Sequence, residues 1–206
     1  VNQAAKLHYV FGPQAVCPMV LRTAAGAGRC YGPTHSQSLE AWFLHAPGIK
    51  IAAPATPADA RALLKTAIRD PNPVLFVEHK LLYGRKGQVP GRGARPLPFG
   101  RARRVRTGPD LTVAAWSWMT IEAEAAAEEL NALGIGVDLL DLRTLQPLDY
   151  EAILEEYRHR QMLEHLMGPI ISLVLHAVLI AAASVLLVGK PMDDYNEVEV
   201  QIEELD

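Results

Sequence analysis

His35, in the stretch GPTHSQS, is the side chain best placed to do chemistry. It lies in a loop after a short apolar run, where an imidazole reaches a ligand without being walled in. A group titrating near neutrality suits general acid or base work. The competing reading is a loop histidine that only caps a turn. His45 shares an apolar helical face with Leu39, Trp42 and Phe43 and reads as structural. Gly26 and Gly28, in AAGAGR, do not make a phosphate loop, because the third glycine and the helix start are missing. Glu78, His79 and Lys80 form a charged strand end with no catalytic role assigned. Ser117 and His176 make no recognisable triad. Asp70 and Asn72 cap a helix and start a Pro-bracketed turn.

Charge and cysteine content narrow the function classes. The net charge of −3 gives no reason to expect a nucleic-acid partner. Eight Lys or Arg and no acid fall between Arg85 and Arg106, yet Phe99 is the single aromatic among them. That favours a solvated linker or docking surface over a nucleic-acid patch. Seven acids and no base follow Met192, so neighbouring segments occupy different surroundings. Cys17 and Cys30 alone make neither a disulfide framework nor a zinc site and fit a reducing compartment. The chain opens at Val1 in the body of a helix, NQAAKLHYV, without a signal peptide.

The elements that must position these residues follow from periodicity. VCPMVLR, KIAAPA and PVLFVEH are short apolar runs bounded by Pro or Gly and read as buried strands. PADARALLKTAIRD reads as a helix, with Ala60, Leu63, Leu64, Ala67 and Ile68 on one face and Thr56 as N-cap before Pro57. Strand, helix, strand implies a parallel sheet with a right-handed crossover. Residues 84–108 read as a Gly, Pro and Arg-rich linker. DLTVAAWS, MTIEAEAAAEELNALG and IGVDLLDLRTL then form a second such unit, its helix stopping at Gly134.

The C-terminal region differs in kind. Residues 168–188 (GPIISLVLHAVLIAAASVLLV) carry no formal charge. As a helix they reach about 32 Å at ~1.5 Å per residue, near the roughly 30 Å hydrocarbon core of a bilayer. Pro169 suits the first turn and Gly189 the end. Arg158 and Arg160 before the span place its N-terminal side in the cytoplasm. A buried core helix, suggested by Ser172, His176 and Ser184, is the alternative.

Read in order, NQAAK, CPMVLRTAAGAG, HSQSLEAWFLHAPGIK, PATPADARALL, AIRDPNPVLFVEHKLLYG and DLRTLQPLD resemble the beta subunits of pyruvate dehydrogenase and its branched-chain 2-oxo acid and acetoin relatives. The HKLLYG ending looks more like the pyruvate and acetoin members. The resemblance covers about three quarters of the chain. It implies an α/β fold: an incomplete transketolase-like pyrimidine-binding domain over residues 1–89, a linker over 90–108, and the start of a transketolase C-terminal domain over 109–156. A membrane segment over 157–206, with its single transmembrane helix at about 168–188, follows.

The same resemblance implies thiamine diphosphate shared with an alpha subunit that also holds Mg2+. It implies as partners that alpha subunit, a second beta subunit and a lipoyl acyltransferase core. His35 would stand in the active-site channel and help pass the acyl group to the lipoyl arm. Met19, Ala67, Ile68, Asp70 and Asn72 match positions that ring a structural potassium ion. A helix C-terminus with free carbonyls, followed by a carboxylate and an amide, is an oxygen cage suited to such a cation.

The glutamate that drives the cofactor's aminopyrimidine lies, in that family, upstream of NQAAK, and this chain is expected to be inactive alone. Residues 1–156 are expected in the cytoplasm, anchored to the inner membrane by 168–188. The second function class is a membrane-anchored interaction protein, loosely similar to energy transducers, with a passive α/β portion.

Overall fold

A computed structural model describes residues 1–91 and 95–188, the side chains at 156, 159, 160, 163, 164 and 182–188 excepted. Residues 1–156 form one compact unit and residues 157–206 belong to another.

The first unit opens with α1 (Asn2–Phe11), then β1 (Val20–Ala25), α2 (Glu40–Leu44), β2 (Lys50–Ala52), α3 (Pro57–Arg69) and β3 (Val74–His79). β1 and β2 both pair with β3 in parallel, as the strand–helix–strand reading requires. β1 begins at Val20 and not at Val16, because Pro18 has no N–H to offer a ladder. β3 is apolar on both faces, which is why it reads as an unbroken run. One face packs Leu75 and Val77 with Ala5, Ile49 and Ile51; the other packs Val74 and Phe76 with Leu63 and Ala67 of α3. The helix starts where the sequence places it: Thr56 Oγ1 accepts from Asp59 N at 3.1 Å, with Pro57 in the first turn.

The second half of this unit is a three-stranded sheet of β4 (Arg103–Arg106), β6 (Val137–Asp141) and β5 (Leu111–Ala115), in that order, with α4 (Trp118–Ala132) against it. Two features depart from expectation. β4 lies inside the stretch expected to be linker and pairs antiparallel with β6. It escaped notice because ion pairs hold it: Arg103 with Asp141 at 3.0 Å, Arg104 with Asp138 at 3.1 Å, Arg106 with Glu128 at 3.7 Å. IGVDLLDLRTL is also not one strand. Arg143 adopts φ 59, and the chain turns out of the second sheet into β7 (Thr144–Gln146), which pairs antiparallel with β2 of the first. The sheet order β1-β3-β2-β7 therefore contains a strand supplied by the C-terminal half.

α5 spans Tyr150–Val188, so Pro169 lies inside a helix and not in the first turn of one starting at 168. Leu, Glu, Met, Gln and Arg before it favour helix strongly enough to run up to the proline. Among the described residues no helix is long and apolar enough to cross a membrane, so the span expected over 168–188 is not borne out. Side chains 182–188 of that span, Gly189 and the acidic tail lie outside the described residues. Within the described part, Leu166, Ile170, Leu173, Val174, Val178 and Ile180 are all exposed.

Candidate functional site

The loop from Gly26 to Leu39 leaves the C-terminal end of β1 and lies against residues 79–81 at the end of β3. Gly26 has φ 84, and its N–H donates to the Gln37 carbonyl at 3.0 Å. A Cβ at Gly26 would sit 1.9 Å from His79 Nε2, and one at Gly28 2.7 Å from Leu81 Cδ1. Both glycines thus serve close approach to the end of β3. His35 ends a short 3-10 turn (Pro33–His35) and is exposed, as a ligand-facing imidazole must be. Its carbonyl accepts a hydrogen bond from Lys80 Nζ, and that ammonium stands 5.5 Å over the Tyr31 ring.

His79 is held differently. Its Nδ1 accepts from Leu81 N at 3.3 Å, which leaves the proton of the neutral ring on Nε2. The ring stacks on Trp118 of α4, with centroids 6.0 Å apart and planes 17° apart. Burial pushes its pKa below the ordinary histidine value; the Lys80 charge adds to this and Glu40 opposes it. His79 is therefore a neutral wedge joining the two halves.

A cleft of about 260 Å³ opens at the C-terminal edge of the parallel strands, where sheets of this kind commonly receive ligands. Its one carboxylate, Glu78, is fully engaged. Arg22 donates to it through Nε at 2.9 Å and a terminal nitrogen at 3.1 Å, and Tyr83 OH donates at 3.0 Å. Burial raises the Tyr83 pKa, and its bond to Glu78 raises it further. A carboxylate so held orients its neighbours. The other buried carboxylates near this edge are also paired. Asp59 meets Arg143 at 3.0 Å, and Asp141, 0% exposed, meets Arg103 at 3.0 Å. Burial raises the Asp141 pKa, and Arg103 only partly offsets that. No nucleophile–base pair is assembled here among the described residues.

The five positions matched to a potassium site share one corner. The segments run side by side, with Cys17 N donating to the Pro71 carbonyl at 2.9 Å and Val74 N to the Met19 carbonyl at 2.8 Å. The Ala67 carbonyl accepts from Asp70 N at 3.2 Å, and Ile68 is exposed. The Asp70 carboxylate, however, faces inward. It holds the Lys50 ammonium through Oδ2 and accepts from Asn72 N at 2.9 Å and Asn72 Nδ2 at 3.1 Å through Oδ1. Burial alone would raise its pKa, but the bonds from Lys50 and Asn72 outweigh it and leave the group below its ordinary value. The Asp70 side chain therefore does not fit as a cation ligand, and the Met19 and Ala67 carbonyls already accept from Val74 N and Asp70 N. Among the described residues no cluster of three His, Cys, Asp or Glu could hold a metal ion.

Reading residue types alone named His35 as the candidate, set His79 and Lys80 aside as a charged strand end, and gave Trp118 no part. A lysine only 9% exposed at a strand end looks, in sequence, like any surface charge.

Comparison with known proteins places these features. Residues 1–86 match the transketolase pyrimidine-binding domain family and residues 100–173 the transketolase C-terminal domain family. Over 154 residues the chain is 47% identical to the beta subunit of acetoin:2,6-dichlorophenolindophenol oxidoreductase of Cupriavidus necator, which is 75% of this chain and 45% of the relative. Over 158 residues it is 44% identical to the pyruvate dehydrogenase E1 component subunit beta of Rhizobium meliloti, 77% of this chain and 34% of that one. A solved structure described as a split gene transketolase, inactive beta4 tetramer, superposes with TM-score 0.56 at 26% identity, covering 76% of this chain and 51% of that chain. The chain spans less than half the length of the two curated relatives it matches here. With both halves of a transketolase-like unit in family order, the chain belongs to the beta subunits of the thiamine-diphosphate-dependent 2-oxo acid dehydrogenases, of which it carries a part.

Proposed function

We propose that this chain supplies part of the beta side of a pyruvate-like 2-oxo acid dehydrogenase, with His35 presented to the acyl-transfer channel, and that it is inactive alone. The observation that carries this is the exposed imidazole on a clamped loop beside a cleft whose one carboxylate, Glu78, is committed to Arg22 and Tyr83. Thiamine catalysis needs a free carboxyl beside the aminopyrimidine. Glu78, Asp59 and Asp141 are each bound to an arginine, so none of these three is free to serve as that proton-handling acid.

On this reading the cofactor is shared with an alpha subunit that also carries Mg2+. The same reading includes a second beta subunit and a lipoyl acyltransferase core as further partners, and the cytoplasm as the location of residues 1–156. The potassium site of this reading keeps its main-chain oxygens at Met19, Ala67, Ile68 and Asn72 and loses the Asp70 carboxylate, which serves Lys50. The test is pyruvate decarboxylation dependent on thiamine diphosphate, together with co-elution of the chain with an alpha subunit. The chain alone is expected to give no turnover; turnover without an alpha subunit overturns the proposal.

A second reading concerns the C-terminal unit, as a membrane anchor beside a passive α/β portion. It is favoured by apolar side chains exposed all round the helix from Leu166 to Ile180, an amount of apolar surface that water does not tolerate uncovered. Alkaline carbonate extraction of membranes tests it, and release of the chain into the soluble fraction refutes it.

A further inference from the structure

We propose that Lys80 is a positioning residue, whose buried ammonium fixes the main chain at His35 and so sets where that imidazole is presented. Its importance to catalysis rests on the proposed role of His35; the positioning itself does not.

The loop carrying His35 has few other anchors. Residues 27–35 are all exposed, so little packing holds them. Gly26 ties the loop base to Gln37, and Lys80 ties the middle. Lys80 is only 9% exposed, and among the described residues no carboxylate lies within ion-pair distance of it. A buried ammonium without a counter-charge is costly unless something replaces its water. Here the replacements are one carbonyl, that of His35, and the face of Tyr31 at 5.5 Å. The ammonium and the loop thus need each other. Loss of the charge frees the loop, and opening of the loop strands the charge. A methionine would fill the same volume, so packing alone does not explain a lysine here. Arg22, Glu78 and Tyr83 close the neighbouring cleft among themselves and make no bond to this loop.

The experiment uses the full chain with carbon-13-labelled histidine, the His35 signal being assigned by its loss in His35→Gln. In Lys80→Met the His35 signal should collapse to the position of an unstructured histidine. Exchange of the Gly26 amide should also accelerate about ten- to a hundred-fold, the worth of one charge-assisted hydrogen bond. The His45 signal and the Asn72 amide should not move. Lys80→Arg should restore both readouts. Tyr31→Leu, at a position 58% exposed, should loosen the His35 signal partway. An unmoved His35 signal and unmoved Gly26 exchange in Lys80→Met and Tyr31→Leu would overturn the proposal. So would loosening spread equally over His45 and Asn72, which would make Lys80 a packing residue. None of these readouts needs turnover, so they test the positioning by Lys80 separately from the catalytic reading of His35.

Discussion

Replacing Gly26 with alanine tests the clamp from its other side. The residue has φ 84, where a Cβ costs roughly 1–2 kcal/mol from the backbone alone. The new methyl would also lie 1.9 Å from His79 Nε2. His79 cannot yield as a lysine tip would, since it is stacked on Trp118 and bonded to Leu81 N. Ejecting it forfeits an aromatic pair worth roughly 0.5–1.5 kcal/mol. Gly26→Ala should therefore destabilise by about 2–4 kcal/mol. In urea, at an m-value of roughly 2 kcal/mol per molar, the midpoint falls by ~1–2 M. Tryptophan fluorescence reports this directly, because Trp118 sits on the displaced ring. The decisive measurement is the double variant. In a His79→Ala background the clash is gone, and Gly26→Ala should cost only the backbone part, about 1–2 kcal/mol. An equal cost in both backgrounds would show that His79 does not press on Gly26 and would refute the reasoning.

Two further outcomes follow from the same coordinates. Ser117 adopts φ 55 and ψ −132 with a buried hydroxyl that has no partner, so Ser117→Gly should raise stability by about 1 kcal/mol in urea titration; a loss would contradict the strain. Asp70 has a folded pKa below its unfolded value of about 4, so its contribution is present above that value and lost as pH falls through the lower folded one. Asp70→Asn should lower stability at pH 7 and flatten the decline below about pH 4; an unchanged acid slope would remove Asp70 from the account.

Much of the first sheet was legible because its signals are local. Thr56 before Pro57, the one-sided apolar face of α3 and the unbroken run of β3 each state their own structure. β4 and β7 were not legible, because their partners are distant. Arg103 joins a strand only because Asp141 lies 38 positions on, and Arg143 turns the chain only because β2 offers a free edge. The candidate site divides the same way. The exposed loop position of His35 is readable from residue type and loop context. The burial of Lys80 is not, since it depends on the Tyr31 ring and a carbonyl 45 residues away.

The two family segments are physically one object over residues 1–156. Three separate ties cross between them. β7 completes the first sheet, and the Arg143 carbonyl accepts from Ala53 N at 2.9 Å where β2 ends. Arg103 and Arg143 reach from the second half to Asp59 at the start of α3, so that helix begins inside a buried ion cluster. Removing one member of such a cluster leaves a charge stranded, which is far more costly than never having built it. Trp118 holds His79, and His79 fills the space that Gly26 leaves open beneath the loop. The wall of the cleft from Pro54 to Pro57 lies between the first tie and the second. The geometry presented by the first half is thus set in part by side chains of the second. A pyrimidine-type half cut away near residue 89 would lose β7, both arginines and the ring that seats His79, and with them the fixed position of the loop that carries His35.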